Sequence, residues 1–205
     1  MPSFKKEIGI FLAIFLVSCF LVYLSLNGGA YLQILRYGLF RPILGFESSS
    51  AIQINQNEKG LFLFIPKIGA VTPIVFPEND SNESILAALE QGVAFYPNSQ
   101  MPGEIGRSVI LGHSSKIDWY RGEYAYVFAL LGKLQTGDEF YIVSENKKLT
   151  YKVFSNDILT PDATNKTLSQ TPENKSEVAL ITCWPIGSDS KRTLIQAKLN
   201  HVEKL

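Results

Sequence analysis

The chain divides into one long apolar run and a following region of shorter patterned runs. Residues 8–26, IGIFLAIFLVSCFLVYLSL, contain no charged side chain, and none occurs between Glu7 and Arg36. A helix rises 1.5 Å per residue, so about 20 residues cross the roughly 30 Å hydrocarbon core of a bilayer. The run is apolar on all sides, which disfavours a core helix with one polar face. We therefore predict a transmembrane helix over residues 8–26.

A cleaved signal peptide is the main alternative for this run. The apolar stretch of a signal peptide is normally about 7 to 15 residues long and ends in a small-residue cleavage site. The present run is longer, although Asn27-Gly28-Gly29-Ala30 supplies small residues. We expect an uncleaved anchor. The flank of a membrane helix that carries more positive charge normally stays in the cytoplasm. Basic side chains are about equally frequent on the two sides of this run, and the N-terminal amine adds a positive charge to the first side. We therefore expect residues 1–7 in the cytoplasm and the domain outside.

Residues 27–51 read as a juxtamembrane linker. Gly28-Gly29, Arg41-Pro42 and Ser48-Ser49-Ser50 are flexible or break helices, with room for a short helix over residues 30–37. The folded domain is then expected over residues 52–205.

That domain shows the pattern of a mainly β protein. Short runs of aromatic and β-branched residues predict strands. These runs are residues 61–65, 71–76, 108–111, 139–144, 150–154, 178–182 and 193–199. The polar segment 145–148 predicts a hairpin, and Asp80 with Glu83 has capping-box spacing for a helix that ends at Gly92. Many short strands with one or two helices predict a barrel or a sandwich.

Composition narrows the classes of function. Hydrophobic residues make up 46% and charged residues 19%, which excludes a disordered scaffold. The 19 basic and 19 acidic residues cancel, so no broad cationic field exists to attract nucleic acid. Two Cys and two His are too few for a zinc site of several such ligands, whereas a calcium site built only from carboxylates stays open. We expect no cofactor, and calcium dependence is left undecided.

Two strand ends carry candidate chemistry. The strand at 108–111 leads into Gly112-His113, and the strand at 178–182 leads into Cys183, with Arg192 nine residues later. Each feature alone is more often structural. Attack of a cysteine on a carbonyl needs a thiolate, a proton donor and a stabilised oxyanion, and Cys183, His113 and Arg192 supply these roles together. Thr182 neighbours the thiol on its strand, so its side chain is predicted to face the opposite way.

These motifs resemble the sortase family of membrane-anchored cysteine transpeptidases. Leu111-Gly112-His113-Ser114 is similar to its histidine motif, and Leu180-Ile181-Thr182-Cys183 with Arg192 is similar to its Thr-Leu-x-Thr-Cys and following arginine. The resemblance continues in family order at residues 65–69, 91–93, 102–106 and 137–139. Arg107 stands where many members have Asn, and Ala179 where the motif usually has Thr. The Cys-Trp-Pro-x-Gly sequence resembles class D or E.

The resemblance implies a sortase-like eight-stranded β-barrel with short helices, preceded by one transmembrane helix. It implies Cys183 as nucleophile, His113 as acid and base, and Arg192 as the partner of the substrate carbonyl and oxyanion. Implied partners are surface proteins with a C-terminal LPXTG-like sorting signal and an amine acceptor, either a peptidoglycan precursor or a pilin lysine. The task is then wall anchoring or pilus assembly at the outer face of the cell membrane. Residues 155–177 take the place of the specificity loop, unless they form a plain connector.

Two other functions fit the same residues. A hydrolytic cysteine peptidase would let water resolve the same intermediate, and product analysis with and without an amine separates the two. A membrane-tethered β-barrel binding module would carry Cys183 as an inert thiol. Rapid modification of Cys183 by a thiol reagent, slowed by a change at His113, would argue against such a module.

Overall fold

The first element is one long helix. The structure is a computed structural model that describes residues 2–44, 60–115, 122–170 and 172–205. Helix α1 spans Pro2–Leu44. Within it, the 20 residues Lys6–Ser25 have a mean hydropathy of 2.6, so this segment is long and apolar enough to cross a membrane. None of its residues is buried against the rest of the protein. This segment overlaps the predicted anchor almost completely.

Helix α1 continues where the sequence predicted a linker. Residues 27–44 are helical, and residues 45–51 of the predicted linker lie outside the described residues. Glycine costs only about 1 kcal/mol relative to alanine in a helix interior, and Gly28-Gly29 lie between Leu26 and Ala30, which are good helix formers. Two adjacent glycines are therefore insufficient to end the helix.

The domain after the gap is a closed barrel, and its described residues form eight strands and two further α-helices. The strands are β1 (Leu61–Ile65), β2 (Ala70–Val75), β3 (Val93–Phe95), β4 (Gly106–Leu111), β5 (Glu139–Ser144), β6 (Lys147–Leu159), β7 (Ser176–Trp184) and β8 (Lys191–Lys204). The helices are α2 (Asn82–Leu89) and α3 (Pro161–Leu168), with short 3-10 turns at Pro66–Ile68, Glu123–Tyr126 and Leu131–Lys133. The barrel order is β1-β2-β3-β4-β7-β8-β6-β5, which confirms the predicted eight-stranded fold.

Two local predictions need correction. The β5–β6 hairpin forms as predicted, but Ser144 pairs with Lys147, so only two residues make the turn. The cap of α2 is Ser81 rather than Asp80: the Ser81 hydroxyl accepts a hydrogen bond from the Ser84 amide at 3.2 Å. A one-residue shift of this kind arises because serine and aspartate are equally good caps, and sequence spacing alone does not choose between them.

Alternation along the strands gives the barrel an inner and an outer apolar surface. Inner positions such as Ile110, Leu180 and Ile195 are fully buried in the main core. A second cluster contains the outer residues Val109, Ala179, Ile181 and Leu194, with Leu111, Leu159 and Leu168 packed against it. Because successive side chains of a strand point to opposite faces, β4, β7 and β8 must present this second cluster on the outside. Leu168 belongs to α3, so α3 covers part of that outer surface.

Candidate active site

Strand register brings the three predicted site residues together. Strands β4 and β7 are parallel with Leu111 opposite Ile181, and the Gly112 amide donates to the Ile181 carbonyl at 3.0 Å. His113 and Cys183 each follow this pair by two residues, so the same register places His113 beside Cys183. On the other side of β7, Cys183 pairs with Arg192 of antiparallel β8. His113, Cys183 and Arg192 thus lie on three adjacent segments at one end of the barrel.

The backbone around His113 is held on both sides. The Thr182 hydroxyl donates to the Gly112 carbonyl at 2.7 Å, and the Phe128 amide donates to the His113 carbonyl at 2.9 Å. A side chain at Gly112 would place its Cβ 2.3 Å from the Phe128 ring, so only glycine permits this packing. Thr182 is buried and makes a structural contact, as the strand alternation predicted. The imidazole is consequently attached to a rigid part of the fold.

Burial works against the charged forms of both catalytic candidates. Burial lowers the pKa of His113. Burial also raises the pKa of the Cys183 thiol; the positive charge of Arg192 opposes that rise and the carboxylate of Asp189 adds to it. Both shifts favour the neutral thiol and the neutral imidazole over their charged forms. Transfer of the thiol proton to His113 would form a thiolate, which the positive charge of Arg192 would stabilise.

Arg192 is anchored by its backbone neighbours. Its Nη1 donates to the carbonyl of Asp189 at 2.6 Å and to that of Lys191 at 3.0 Å. A guanidinium has five N–H donors in a planar fork. Within the described residues, Nε and Nη2 make no hydrogen bond, so these donors would be available to a further acceptor.

The turn between β7 and β8 closes one side of the site. The Gly187 amide donates to the Ser115 hydroxyl at 3.2 Å, which attaches this turn to the segment after His113. The Trp184 ring is 39% exposed and has the Lys191 ammonium 5.6 Å from its centroid. Trp184 therefore lies at the surface, directly after Cys183 in β7. Among the described residues, no group of three or more His, Cys, Asp or Glu side chains is placed to hold a metal ion.

A groove of about 570 Å³ leads away from Arg192 along the outer face of the barrel. Its floor includes Val109, Leu111 and Ile181, all on the outer faces of β4 and β7. One wall is α3, through Thr164 and Leu168 among others, and the other is the segment 96–100. Ile181 precedes Cys183 by two residues and shares its face of β7, and Arg192, the β8 partner of Cys183, also lines the groove.

Sequence reasoning missed both walls of this groove. It assigned residues 155–177 to a loop, whereas β6 extends to Leu159 and α3 follows. A signal for α3 is present in the sequence: Thr160 caps the helix by accepting from the Ala163 amide at 3.4 Å, and Pro161 occupies the first turn. Threonine followed by proline and an acidic residue is typical of a helix start. Strand β3 has only three residues and leaves no comparable pattern.

Comparison with known proteins gives one consistent result. The family model that describes the sortase domain matches residues 63–200 of this chain. Sortase D of Bacillus subtilis (strain 168) is 32% identical over 139 residues, which is 66% of this chain and 61% of the length of that relative. The match therefore spans less than two thirds of the relative.

Solved structures agree with that match. A lid mutant of sortase A from Corynebacterium diphtheriae is similar with a TM-score of 0.58 and 29% identity, covering 71% of this chain and 72% of that one. Sortase E from Streptomyces avermitilis shares the fold with a TM-score of 0.56 at 20% identity, covering 72% and 91%. Relatives from several sortase classes thus share this barrel, and the domain match covers most of the sequence. The chain belongs to the sortase family.

Proposed function

We propose that this protein is a membrane-anchored cysteine transpeptidase. It cleaves an LPXTG-like sorting signal and joins the substrate protein that carries the signal to an amine. The observation that carries the proposal is the strand register that sets Cys183 between His113 and Arg192. Arg192 also lines a groove that has an apolar floor and largely polar walls. Membership of the sortase family supports the same reaction class.

The first half of the reaction is acylation of Cys183. The thiol proton passes to His113, and the sulfur attacks the carbonyl carbon of the scissile peptide bond. Arg192 donates hydrogen bonds to the oxygen that becomes negative. When the tetrahedral intermediate collapses, the C–N bond breaks and the imidazolium gives its proton to the leaving amine. A thioester between Cys183 and the sorting signal remains.

The second half transfers the acyl group. An amine attacks the thioester carbonyl, and His113 takes its proton as the new amide bond forms. The C–S bond then breaks, and Cys183 is restored after receiving a proton. Proposed acceptors are a peptidoglycan precursor or a pilin lysine, corresponding to wall anchoring or pilus assembly.

Helix α1 supplies the proposed location. Lys6–Ser25 is long and apolar enough to anchor the chain in the cell membrane. We propose a single-pass anchor with residues 1–7 in the cytoplasm and the barrel outside, where surface proteins with sorting signals are exposed.

The function is tested with the detergent-solubilised full chain and an LPXTG-like peptide, with and without an added amine. Mass spectrometry is expected to show cleavage and, in the presence of amine, a product carrying the new amide bond. Cleavage that yields only the free acid in both arms would identify a hydrolytic peptidase instead. Absence of cleavage, with Cys183 unreactive towards iodoacetamide, would identify the binding module.

Arg192→Lys is expected to lower kcat by about 10²- to 10³-fold although it keeps the positive charge, the usual cost of losing one preorganised oxyanion donor. An ammonium is a point charge on a flexible stem and lacks the fork that bonds turn and substrate together. Steady-state kinetics on the peptide measure the effect.

Lys191→Ala tests the contribution of a nearby positive charge alone, because it removes one such charge at the residue before Arg192. It is expected to retain activity close to that of the wild type. Near-normal turnover of Arg192→Lys would show that charge alone suffices and would remove the oxyanion role from Arg192.

A further inference from the structure

Arg107, which lines the groove, makes polar contacts with both β7 and α3. It lies on β4, on the same outer face of the barrel as Val109 and Leu111, and precedes His113 by six residues. Its Nη2 donates to Glu177 Oε2 at 3.0 Å across the parallel β4–β7 pair, and both side chains are only 10% exposed. Its Nη1 donates to the Thr167 carbonyl at 2.8 Å and reaches the Leu168 carbonyl at 3.5 Å.

The two contacts have different consequences. A buried ion pair gains little net stability, because desolvation of the charges offsets their attraction. The carbonyls of Thr167 and Leu168 belong to the last turn of α3, where a cation also interacts favourably with the helix dipole. One planar guanidinium therefore connects the floor of the groove to the end of its helical wall.

Arg107 fixes one end of α3, and the barrel fixes the other. At the start of α3, Leu159 pairs with Arg192 on β8 and Thr160 caps the helix. At its end, Leu168 packs on the outer cluster and its carbonyl is within reach of Arg107. The spacing between wall and floor at the end of the groove far from Cys183 consequently depends on Arg107.

We propose that Arg107, held by Glu177, is a positioning residue that sets the width of the groove and so the affinity for the part of the peptide farthest from the scissile bond. The inference rests on the proposed function. Arg107 touches no reacting atom, since six residues of extended chain place it about 20 Å from His113. Its loss is therefore expected to weaken peptide binding more than the chemical step.

Arg107→Lys is the principal test, because lysine keeps the charge but does not bond Glu177 and the α3 carbonyls together. KM for the sorting-signal peptide is expected to rise about tenfold, with a much smaller fall in kcat. The rate of Cys183 alkylation by iodoacetamide, which does not fill the groove, is expected to stay within about twofold of the wild type. Amide hydrogen exchange measured without peptide is expected to be faster across α3.

Glu177→Gln is the second variant, because it keeps the shape and an accepting oxygen but removes the charge that orients Arg107. It is expected to change KM and α3 exchange in the same direction and by less. The matched control is Lys148→Ala, which breaks the exposed pair between Lys148 and Glu203 at 3.4 Å on β6 and β8. That variant is expected to leave KM and α3 exchange unchanged.

The outcomes separate this inference from the proposed function. A wild type that cleaves the peptide, with Arg107→Lys showing normal KM and normal α3 exchange, leaves the function standing and overturns the inference. A lower melting temperature of Arg107→Lys with unchanged KM would also overturn the inference, because it would show that the Arg107–Glu177 pair only stabilises the fold. If the wild type fails to cleave, the proposed function and the effect on affinity fall together, and exchange in α3 still decides whether Arg107 holds the helix.

Discussion

Replacing Cys183 by alanine is expected to abolish cleavage and transfer, with a fall of at least about 10⁴-fold in turnover, because no other group of the site forms the thioester. The fold is expected to persist. Cys183 is only partly buried, at the second-last position of β7, so loss of one sulfur atom leaves little cavity. Peptide cleavage and the far-UV circular dichroism melt measure the two effects separately.

Cys19→Ala is the matched control, because Cys19 is the other cysteine and is exposed on α1. It is expected to keep full activity. Incubation with peptide is also expected to add the mass of the acyl fragment to the wild type and to Cys19→Ala, but not to Cys183→Ala. An acyl adduct on Cys183→Ala would mean that another residue is the nucleophile.

His113→Ala is expected to lower kcat by about 10²- to 10⁴-fold, the usual contribution of a general acid and base. The variant loses both the group that receives the thiol proton and the group that protonates the leaving amine. His201→Ala is its control, since His201 is the other histidine and is exposed on β8. Retention of wild-type turnover by His113→Ala would exclude an acid–base role.

The pH profile gives an independent test of the Cys183–His113 pair. Burial lowers the pKa of His113 and raises that of Cys183, with Arg192 opposing and Asp189 adding to the latter shift. The reactive form carries one proton fewer than the fully protonated pair. Activity is therefore expected to rise as pH passes the lower, histidine-dominated pKa and to fall above the higher, cysteine-dominated one.

The same analysis predicts a change of profile in His113→Ala. Without a histidine that must be protonated, the residual activity depends only on the fraction of thiolate. It is expected to rise steadily through the pKa of Cys183 and to show no alkaline fall. An alkaline fall that survives in His113→Ala would assign that limb to a different group.

Local patterns were sufficient for much of the barrel. Strands such as β1 and β5 have the predicted bounds, because a short run of aromatic and β-branched residues bounded by turn residues is typical of a strand. Strand β3, with three residues, was missed because pairing with β2 and β4, and no pattern of its own, makes it a strand. The helix cap moved from Asp80 to Ser81 for a similar reason, since two adjacent residues had equal local preference.

The sequence by itself determined the candidate chemistry. His113 and Cys183 each follow a strongly apolar run, and Arg192 precedes the next such run. All three residues can therefore be recognised as candidates from the sequence near them. The apolar run within α1 is equally local, because its length and composition are read from consecutive residues. These features depend on neighbours only a few residues away.

Only the tertiary structure decided what surrounds that chemistry. The parallel pairing of β4 with β7 joins residues 70 positions apart, and it brings Arg107 to Glu177 at one end and Gly112 to Thr182 at the other. Which outer face became the groove floor, and that α3 became its wall, followed from closure of the barrel. Such contacts leave no periodic trace in the sequence, because they depend on strand order and register between distant segments rather than on the preference of any one segment.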